Sequence, residues 1–265
     1  MKTGFPNNVT VPLMPFSIDV LVCRSQTLSD WHYTLCDPFW RIYWMDRKGW
    51  YVRYQGKPLA LDPTYLAVIP ANTPCYSESR ARATQFHVHF KLDSAINPFK
   101  PGVYFLPITK TISGLISGLM DPARIDLENI IMKTLHIKNL CYDCLSRLPK
   151  ESLDTCAYSP RITFIMETIV QNLKDPPSNK MLAQSIGMNT NSFIRLFHQE
   201  TGTSPQKWCM KARINQAALL LSHSTKTIED IAEETAFFDR NHFSRVFKQF
   251  KDIGPAAYRK QSENK

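Results

Sequence analysis

The C-terminal part of the chain contains the same helical pattern twice, and this repeat restricts the fold more than any other feature of the sequence. Leu182-Ala183 aligns with Ile231-Ala232, and Arg195-Leu196-Phe197 aligns with Arg245-Val246-Phe247. The offset is 49 positions before a turn and 50 after it, so one copy has an insertion of one residue at the turn. Self-similarity at a fixed offset indicates one supersecondary unit that is used twice.

Each copy predicts a short apolar helix, a tight turn, a basic amphipathic helix and then a helix that starts at proline. Ser204-Pro205 and Gly254-Pro255 mark these last helices, because proline suits the first position of a helix. The unit has the size and turn of a helix-turn-helix, whose second helix enters the major groove of DNA. We expect helices near 160–173, 180–187, 190–200, 205–222, 228–235, 240–250 and 255–260.

The basic helix of the second copy has an apolar stripe and an opposite polar face. The stripe should be buried, and it consists of Phe243, Val246, Phe247 and Phe250. Arginine can pair with guanine and asparagine with adenine through two-point contacts, whereas lysine suits phosphates. The candidate DNA contacts of this copy are therefore Arg240, Asn241, Ser244, Arg245 and Lys248.

The basic helix of the first copy repeats this arrangement around a stripe of Phe193, Leu196 and Phe197. Its outward candidates for DNA contact are Asn191, Ile194, Arg195 and His198. An exposed isoleucine is unusual on a solvated face but suits the methyl group of thymine. The helix N-termini at Thr190 and Asp239 are expected to present backbone N–H groups to phosphates.

The helix between the two copies sets their spacing. At 18 residues it spans roughly 27 Å, which could place two recognition helices about one turn of DNA, roughly 34 Å, apart. The alternative is that both basic helices are solvated faces of an ordinary helical domain. The matching positions of Arg195 and Arg245 favour DNA binding.

The composition is that of a folded protein with two domains and a basic balance. The chain has 265 residues, a net charge of +9 and seven cysteines. An odd number of scattered cysteines fits a reducing cytosol better than a disulfide framework. We expect no signal peptide at 1–11 and no membrane span, because the apolar stretches are interrupted by charges.

The first hundred residues predict short strands separated by turns, and helices follow them. The strands are expected at 16–23, 39–44, 50–54, 65–69 and 84–92, and frequent turns between short strands suggest a sandwich or small barrel. The turns include 55–58 and 70–74. After Pro107, apolar spacing near 3.6 predicts helices over 109–120 and 126–148. The polar segment 149–158 has no clear period, which indicates a linker.

The candidate ligand-binding residues lie on two predicted strands. Arg41 and Tyr43 share one face of their strand, Trp40, Ile42 and Trp44 share the other, and His87 and His89 likewise share a face. Aromatic walls with a few polar groups suit a small polar ligand such as a sugar. The alternative is that these side chains belong to the barrel core.

Two further interpretations concern metals and thiols. His87 and His89, together with Cys75, could share a metal ion, but no acidic ligand is evident nearby. Cys141 and Cys144 form a CxxC motif without a second pair, which favours packing on a helix over metal or redox use. We therefore expect no metal and no cofactor.

The C-terminal residues resemble the AraC/XylS family of bacterial transcription regulators over about 160–261. The run 236–250 carries most of the resemblance; it is supported by Gly254-Pro255, Tyr258-Arg259, 193–197 and 200–205. The family implies a monomeric module with two helix-turn-helix units. It also implies base contacts at Asn191, Ile194, Arg195, Arg240, Asn241, Ser244 and Arg245. Ala236 stands where the family usually has glycine, so either a positive φ at this turn is strained or the turn differs from that of the family.

The run 52–92 resembles, more loosely, the cupin-like barrel that many family members carry before their DNA-binding module. The resemblance lies in Leu61-Asp62-Pro63 and in the segments 69–74 and 86–90. In such proteins the barrel binds an effector and the helices after it dimerise. We therefore expect an α+β fold, with an effector-binding barrel at 1–108, dimerisation helices at 109–148, a linker at 149–159 and the DNA-binding domain at 160–265.

These features predict a cytoplasmic, ligand-responsive transcription regulator that binds specific DNA and is not an enzyme. No GxSxG, P-loop, dinucleotide fingerprint or HExxH motif is present in the sequence. The alternative is a metal-dependent cupin enzyme fused to a DNA-binding tail. The expected partners are double-stranded DNA, a small-molecule effector, a second copy of the chain and RNA polymerase, with no membrane partner.

Overall fold

The computed structural model describes residues 17–79, 81–93, 97–120, 127–154 and 158–263. The expectation for 1–11 and one of the seven cysteines, Cys156, fall outside these residues. None of the helices in the described ranges combines the length and the apolar character that a membrane span requires.

The N-terminal part consists of two antiparallel sheets, which together are called the barrel below. The strands are β1 Ile18–Leu28, β2 Thr34–Leu35, β3 Trp40–Met45, β4 Trp50–Tyr54, β5 Lys57–Leu61, β6 Tyr65–Ile69, β7 Cys75–Ser79, β8 Ala83–Leu92 and β9 Tyr104–Pro107. The larger sheet has the strand order β1-β8-β3-β6-β9 and the smaller sheet has the order β2-β7-β4-β5.

Strand β3 is buried on both faces because different layers cover them. Tyr43 and Met45 belong to the core that includes residues of both sheets, with Trp31 and Trp50. Trp40 and Ile42 belong to a second core that the larger sheet shares with the helices after the barrel. The predicted division of this strand into two faces is therefore confirmed.

The sequence prediction lacks four of the observed strands, namely β2, β5, β7 and β9. The segment 55–58 is wrong as a four-residue turn, because only Gln55 and Gly56 have positive φ and Tyr54 already pairs with Lys57. This tight hairpin puts Pro58 into β5, an edge strand that tolerates proline. Strand β7 has no apolar run, and alternate residues are buried instead.

Two helices, α1 Lys110–Met120 and α2 Leu127–Ser146, cover the larger sheet, as the apolar spacing predicts. Ile112 and Ile116 of α1 and Leu140 of α2 lie in the same core as Trp40. The first part of the expected linker is attached to the barrel, because the Lys100 amide donates to the Ser152 carbonyl over 2.8 Å. Leu153 also forms a β-bridge with Phe99.

The described C-terminal residues form helices close to the predicted positions. They are α3 Pro160–Gln171, α4 Asn179–Ser185, α5 Thr190–Thr201, α6 Pro205–His223, α7 Ile228–Glu234, α8 Arg240–Lys251 and α9 Pro255–Glu263. Ser159 and Ser204 cap the proline-started helices α3 and α6 with their side-chain oxygens. The predicted capping box of α7 is also present, with Thr227 and Asp230 each accepting from the other's backbone N–H.

Helix α6 joins two separate cores. Its first part contributes Cys209 to a core with Phe193 and Phe197 of α5. Its second part contributes Ile214, Ala217, Ala218 and Leu221 to a core with Phe243 and Phe247 of α8. Each helix-turn-helix unit therefore has its own apolar centre, and one continuous helix holds the two together.

Candidate DNA interface and effector site

Helices α5 and α8 present matching surfaces. Residues 191–200 of α5 and residues 241–250 of α8 have the same order of buried, half-buried and exposed side chains. Phe193 and Phe243 are fully buried, and Phe197 and Phe247 follow them four residues later. The repeat identified in the sequence is therefore a repeat of packing, which fixes the outward faces of the two helices.

On α8 the candidate DNA contacts lie on the outward face. Arg240, Asn241, Arg245 and Lys248 are exposed, and Ser244 is half-buried. The net charge of this exposed set is positive, and the arginine and asparagine side chains carry the donors that pair with base edges. The face can therefore combine base contacts with a phosphate contact.

On α5 four of the candidates share one surface. Asn191, Ile194, Arg195 and His198, together with Ser204, line a hollow of about 350 Å³. Ile194 differs from the expectation of an exposed side chain, since it is half-buried and packs against the core of the first unit. Part of its surface still lies in the hollow, beside the polar candidates.

The N-termini of both helices are capped by side chains. Asn189 accepts from the Ser192 amide over 2.9 Å, and Asp239 accepts from the His242 amide over 2.7 Å. One of the N–H groups expected to face phosphate is thus already used at each helix. At α8 the cap is a carboxylate, which would repel a phosphate placed directly on the helix axis.

The turns before these helices contain a left-handed residue. Gly187 has φ of 68° in the first unit and Ala236 has φ of 59° in the second. Of the two alternatives for Ala236, the positive φ is the one observed, and the Cβ of alanine makes this conformation costlier than it is for glycine. Arg213 of α6 donates to the Ala236 carbonyl over 3.4 Å and to the Leu173 carbonyl over 2.8 Å, so it ties both units to the joining helix.

The four candidate ligand residues lie together on neighbouring strands. Arg41 of β3 pairs with His89 of β8, and Tyr43 pairs with His87. All four side chains are buried, with at most 4% exposed. The rings of His87 and His89 stack with centroids 4.9 Å apart, and the Tyr43 ring lies within 6.3 Å of both.

Arg41 already has a protein partner. Its Nη1 donates to Asp37 Oδ2 over 2.9 Å, and both side chains are inaccessible to solvent. Burial lowers the pKa of Arg41 but the neighbouring Asp37 raises it, and the net shift is upward. The guanidinium is thus held charged by this ion pair, which differs from the sequence expectation of a residue reserved for ligand.

Several buried donors beside this group have no hydrogen-bond partner within the described residues. They are the Tyr43 hydroxyl, Gln85 Nε2 and the indole nitrogens of Trp31 and Trp50. The rings of Trp31 and Tyr43 are 5.1 Å apart, and those of Trp31 and Trp50 are 5.6 Å apart. Buried donors are costly when unpaired, so this cluster suits a guest that supplies oxygen acceptors. No pattern in the sequence marks Trp31, Trp50 or Gln85 as ligand-binding residues.

The histidine pair does not extend to a metal-binding set. Across the part of the chain that the structure describes, no three His, Cys, Asp or Glu side chains are grouped to hold a metal ion. Burial lowers the pKa of His87 to about 4, so its ring is neutral near pH 7. Cys141 and Cys144 lie in the core under α2, where burial raises the pKa of both thiols.

The second helix-turn-helix unit contacts the barrel through the segment before β3. The Tyr258 hydroxyl of α9 donates to Asp37 Oδ1 over 2.6 Å, and Lys251 Nζ donates to the Cys36 carbonyl over 3.3 Å. His223, at the end of α6, lies 4.8 Å from the Phe39 ring and 5.7 Å from His89. Asp37 therefore links Arg41 to Tyr258 across the two parts of the chain.

Residues 182–261 match the family model described as a helix-turn-helix domain. The C-terminal part of the chain therefore contains a helix-turn-helix domain. The similar proteins include two curated transcription regulators. A Haemophilus influenzae HTH-type transcriptional regulator is 33% identical over 100 residues, which cover 38% of this chain and 34% of the relative. The activator RhaS of Escherichia coli is 27% identical over 124 residues, which cover 46% of this chain and 45% of RhaS.

The chain thus spans less than half the length of these relatives. A structural likeness covers more of it. The structure of ToxT from Vibrio cholerae with a bound unsaturated fatty acid covers 95% of this chain and 97% of its own, with a TM-score of 0.54 and 12% identity. At this identity the likeness concerns the fold alone, and it confirms the α+β arrangement of an N-terminal sheet part and a C-terminal helical part.

Proposed function

We propose that this chain is a sequence-specific DNA-binding regulator of transcription that responds to a small molecule. The matched outward faces of α5 and α8 carry this proposal, with Arg195 and Arg245 at equivalent exposed positions. Helix α6 has 19 residues and is about 28 Å long, close to one turn of DNA. Such a module would contact two successive major grooves. We further propose that the chain acts in the cytoplasm and that RNA polymerase is a partner.

Selection of bound duplexes from a random DNA pool tests the DNA-binding proposal. We expect the full chain to enrich one sequence with two blocks of preference, each assigned to one unit. The double variant Arg195→Ala/Arg245→Ala should lose this enrichment and retain weak, salt-dependent binding. Binding that never exceeds the non-specific level for the wild-type chain would contradict a sequence-specific regulator.

We infer that the effector binds between the sheets, beside the buried donors of Tyr43, Gln85, Trp31 and Trp50 that have no hydrogen-bond partner among the described residues. The donors favour a ligand rich in oxygen acceptors, and both a sugar and a carboxylate meet this requirement. ToxT, which has a similar fold, has been crystallised with an unsaturated fatty acid. A panel of sugars and of fatty acids should therefore be compared by calorimetry, with Tyr43→Phe as the variant that removes one donor. If a ligand binds the wild-type chain and the Tyr43→Phe variant with equal affinity, its binding site lies elsewhere.

We also propose that the contact between Asp37 and Tyr258 couples the effector site to the DNA-binding domain. Arg41 and Tyr258 bind opposite oxygens of one buried carboxylate. A ligand that shifts Arg41 would alter the position of Asp37, and so the orientation of α9 and the second unit. A ligand changes DNA affinity only if it favours one of these arrangements.

Dimerisation through helix α2 is the proposed route to a larger DNA site. The described part of α2 exposes a set of large apolar side chains, namely Ile130, Ile131, Met132, Leu135 and Tyr142. Ile131, Leu135 and Tyr142 lie on one side of the helix at four- and seven-residue spacing. We expect Ile131→Glu/Leu135→Glu to reduce the dimer fraction in sedimentation, whereas Thr134→Glu on the same helix should not. An unchanged fraction in the double variant would place the interface elsewhere.

A further inference from the structure

The turn before α8 carries an unusually exposed aromatic side chain. Phe238 is 93% exposed, whereas the next most exposed large apolar side chain among the described residues is Met181 at 59%. The neighbouring Phe237 is buried in the core of the second unit and packs against Phe243 with ring centroids 5.1 Å apart. The turn therefore buries one phenylalanine and exposes the next.

Comparison of the two turns identifies Phe238 as the inserted residue. In the first unit Met188 follows the left-handed Gly187, and its amide donates to Ala183 over 2.9 Å. In the second unit Phe237 follows the left-handed Ala236, and its amide donates to Ala232 over the same distance. Met188 and Phe237 are thus equivalent.

The caps complete this comparison. Asn189 caps α5 directly after Met188, whereas Phe238 stands between Phe237 and the cap of α8, Asp239. The additional residue has no counterpart in the first unit. Its side chain cannot enter the core, because the position beside Phe243 is already filled by Phe237.

The exposed ring lies at the end of α8 that would approach the bases. The first-turn residues Arg240 and Asn241 are both exposed, and N-terminal residues of recognition helices contact base edges. The methyl group of thymine is the apolar feature of the major groove, and phenylalanine is among the side chains that contact it. We propose that Phe238 contacts a thymine methyl group at the edge of the sequence bound by α8 and contributes to its specificity. This inference rests on the proposed DNA-binding function.

Replacement of thymine by uracil isolates this contact, since uracil pairs with adenine but lacks the 5-methyl group. The probe is the duplex that the full wild-type chain selects from a random pool, with each thymine of the α8 half replaced in turn. We expect one replacement to weaken wild-type binding about fourfold, which corresponds to one buried methyl group. Phe238→Ala should weaken binding of the thymine duplex similarly and be indifferent to that replacement, as a double-mutant cycle requires for a direct contact.

Phe164→Ala is the matched control, because Phe164 is also exposed, at 48%, but lies on α3. It should leave the response to every uracil replacement unchanged. Wild-type affinity of Phe238→Ala for the thymine duplex would overturn the inference and leave the proposed function intact. An equal loss of affinity of Phe238→Ala for all duplexes would also overturn it, because it indicates a contact with the DNA backbone. Normal DNA affinity with lost transcription would overturn it as well, because it indicates a contact with a protein partner. If the wild-type chain selects no duplex, the proposed function itself fails, and this inference with it.

Discussion

The two helix-turn-helix units have the same packing but differ in what surrounds it. In both, a ring of the following helix packs edge-on against the second phenylalanine of the stripe: Trp208 against Phe197, and Tyr258 against Phe247. In the second unit the ring also carries a hydroxyl group that reaches Asp37 in the barrel. The same core arrangement thus occurs in both units, and the second unit uses the ring of its following helix for an additional contact with the barrel.

The turns before α5 and α8 also differ between the two units. The first unit uses glycine at its left-handed position, whereas the second uses alanine and adds Phe238. A conserved packing pattern therefore does not make the units equivalent in stability or in DNA contacts. Substitutions at equivalent positions of the two units therefore test which contributions to stability and DNA binding the units share and which belong to one unit alone.

The largest expected effect concerns the shared cores. Phe193→Ala and Phe243→Ala each remove a fully buried ring, so each should lower the free energy of unfolding by about 3–5 kcal/mol. Because the units have separate cores, each variant should loosen mainly its own unit, as measured by hydrogen exchange of α5 and α8 amides. Equal loss of protection in both helices would show that the two cores act as one.

Loss of the outward arginines should have the next largest effect. Arg195→Ala and Arg245→Ala should each weaken specific DNA binding by about 1–3 kcal/mol, since each removes a candidate base contact. Titration against selected and random duplexes checks this prediction. Lys248→Ala is the control, because a lost phosphate contact weakens binding to both duplexes alike. An arginine variant with that same uniform loss would not contact bases.

Tyr258→Phe tests the contact that distinguishes the second unit. It keeps the ring against Phe247 but leaves Asp37 with one donor fewer, which should cost about 1–3 kcal/mol in a urea titration. Burial is the main cause that raises the pKa of Tyr258, so the hydroxyl remains a donor near neutral pH. Trp208→Tyr, which places the same ring type at the equivalent position, is the control for the ring contact. Unchanged stability of Tyr258→Phe would argue against the link to Asp37.

The smallest effect concerns the strained turn. Ala236→Gly should stabilise the protein by about 0.5–1 kcal/mol, because glycine adopts positive φ without a Cβ clash. The thermal midpoint should rise, whereas Ala257→Gly, at an exposed position of helix α9, should lower it. If both substitutions lower the midpoint, Ala236 is not strained.

The sequence predicted the C-terminal part better than the barrel for a physical reason. Helix periodicity is a local signal, and it placed α5 and α8 within one residue at each end. Serine caps and proline starts are local signals too, and they placed the first residues of α3 and α6. Strand β5 is short and contains a proline, and strand β7 is short and carries two serines and a glutamate. Neither strand has the β-branched residues that mark a strand in a sequence. The sequence also grouped Arg41, Tyr43, His87 and His89 correctly, since alternation along β3 and β8 determines their faces.

Contacts between distant parts of the chain were not predictable from one sequence. Asp37 and Tyr258 are separated by 221 positions, and neither residue type nor spacing indicates their hydrogen bond. The ion pair of Arg41 was missed for a related reason, since its partner lies in a turn before the strand. The insertion at Phe238, in contrast, was visible in the repeat offsets, but its exposure required the structure.

The spacing of the two blocks in a selected DNA duplex distinguishes a two-unit DNA-binding module from two unrelated helices. If α6 holds both recognition helices on one face of DNA, the centres of the two blocks should be about 10–10.5 base pairs apart. Insertion of 5 base pairs between the blocks should then reduce the affinity to that of a single block. A duplex with one block of preference, or an affinity that the insertion does not change, would contradict the proposed module.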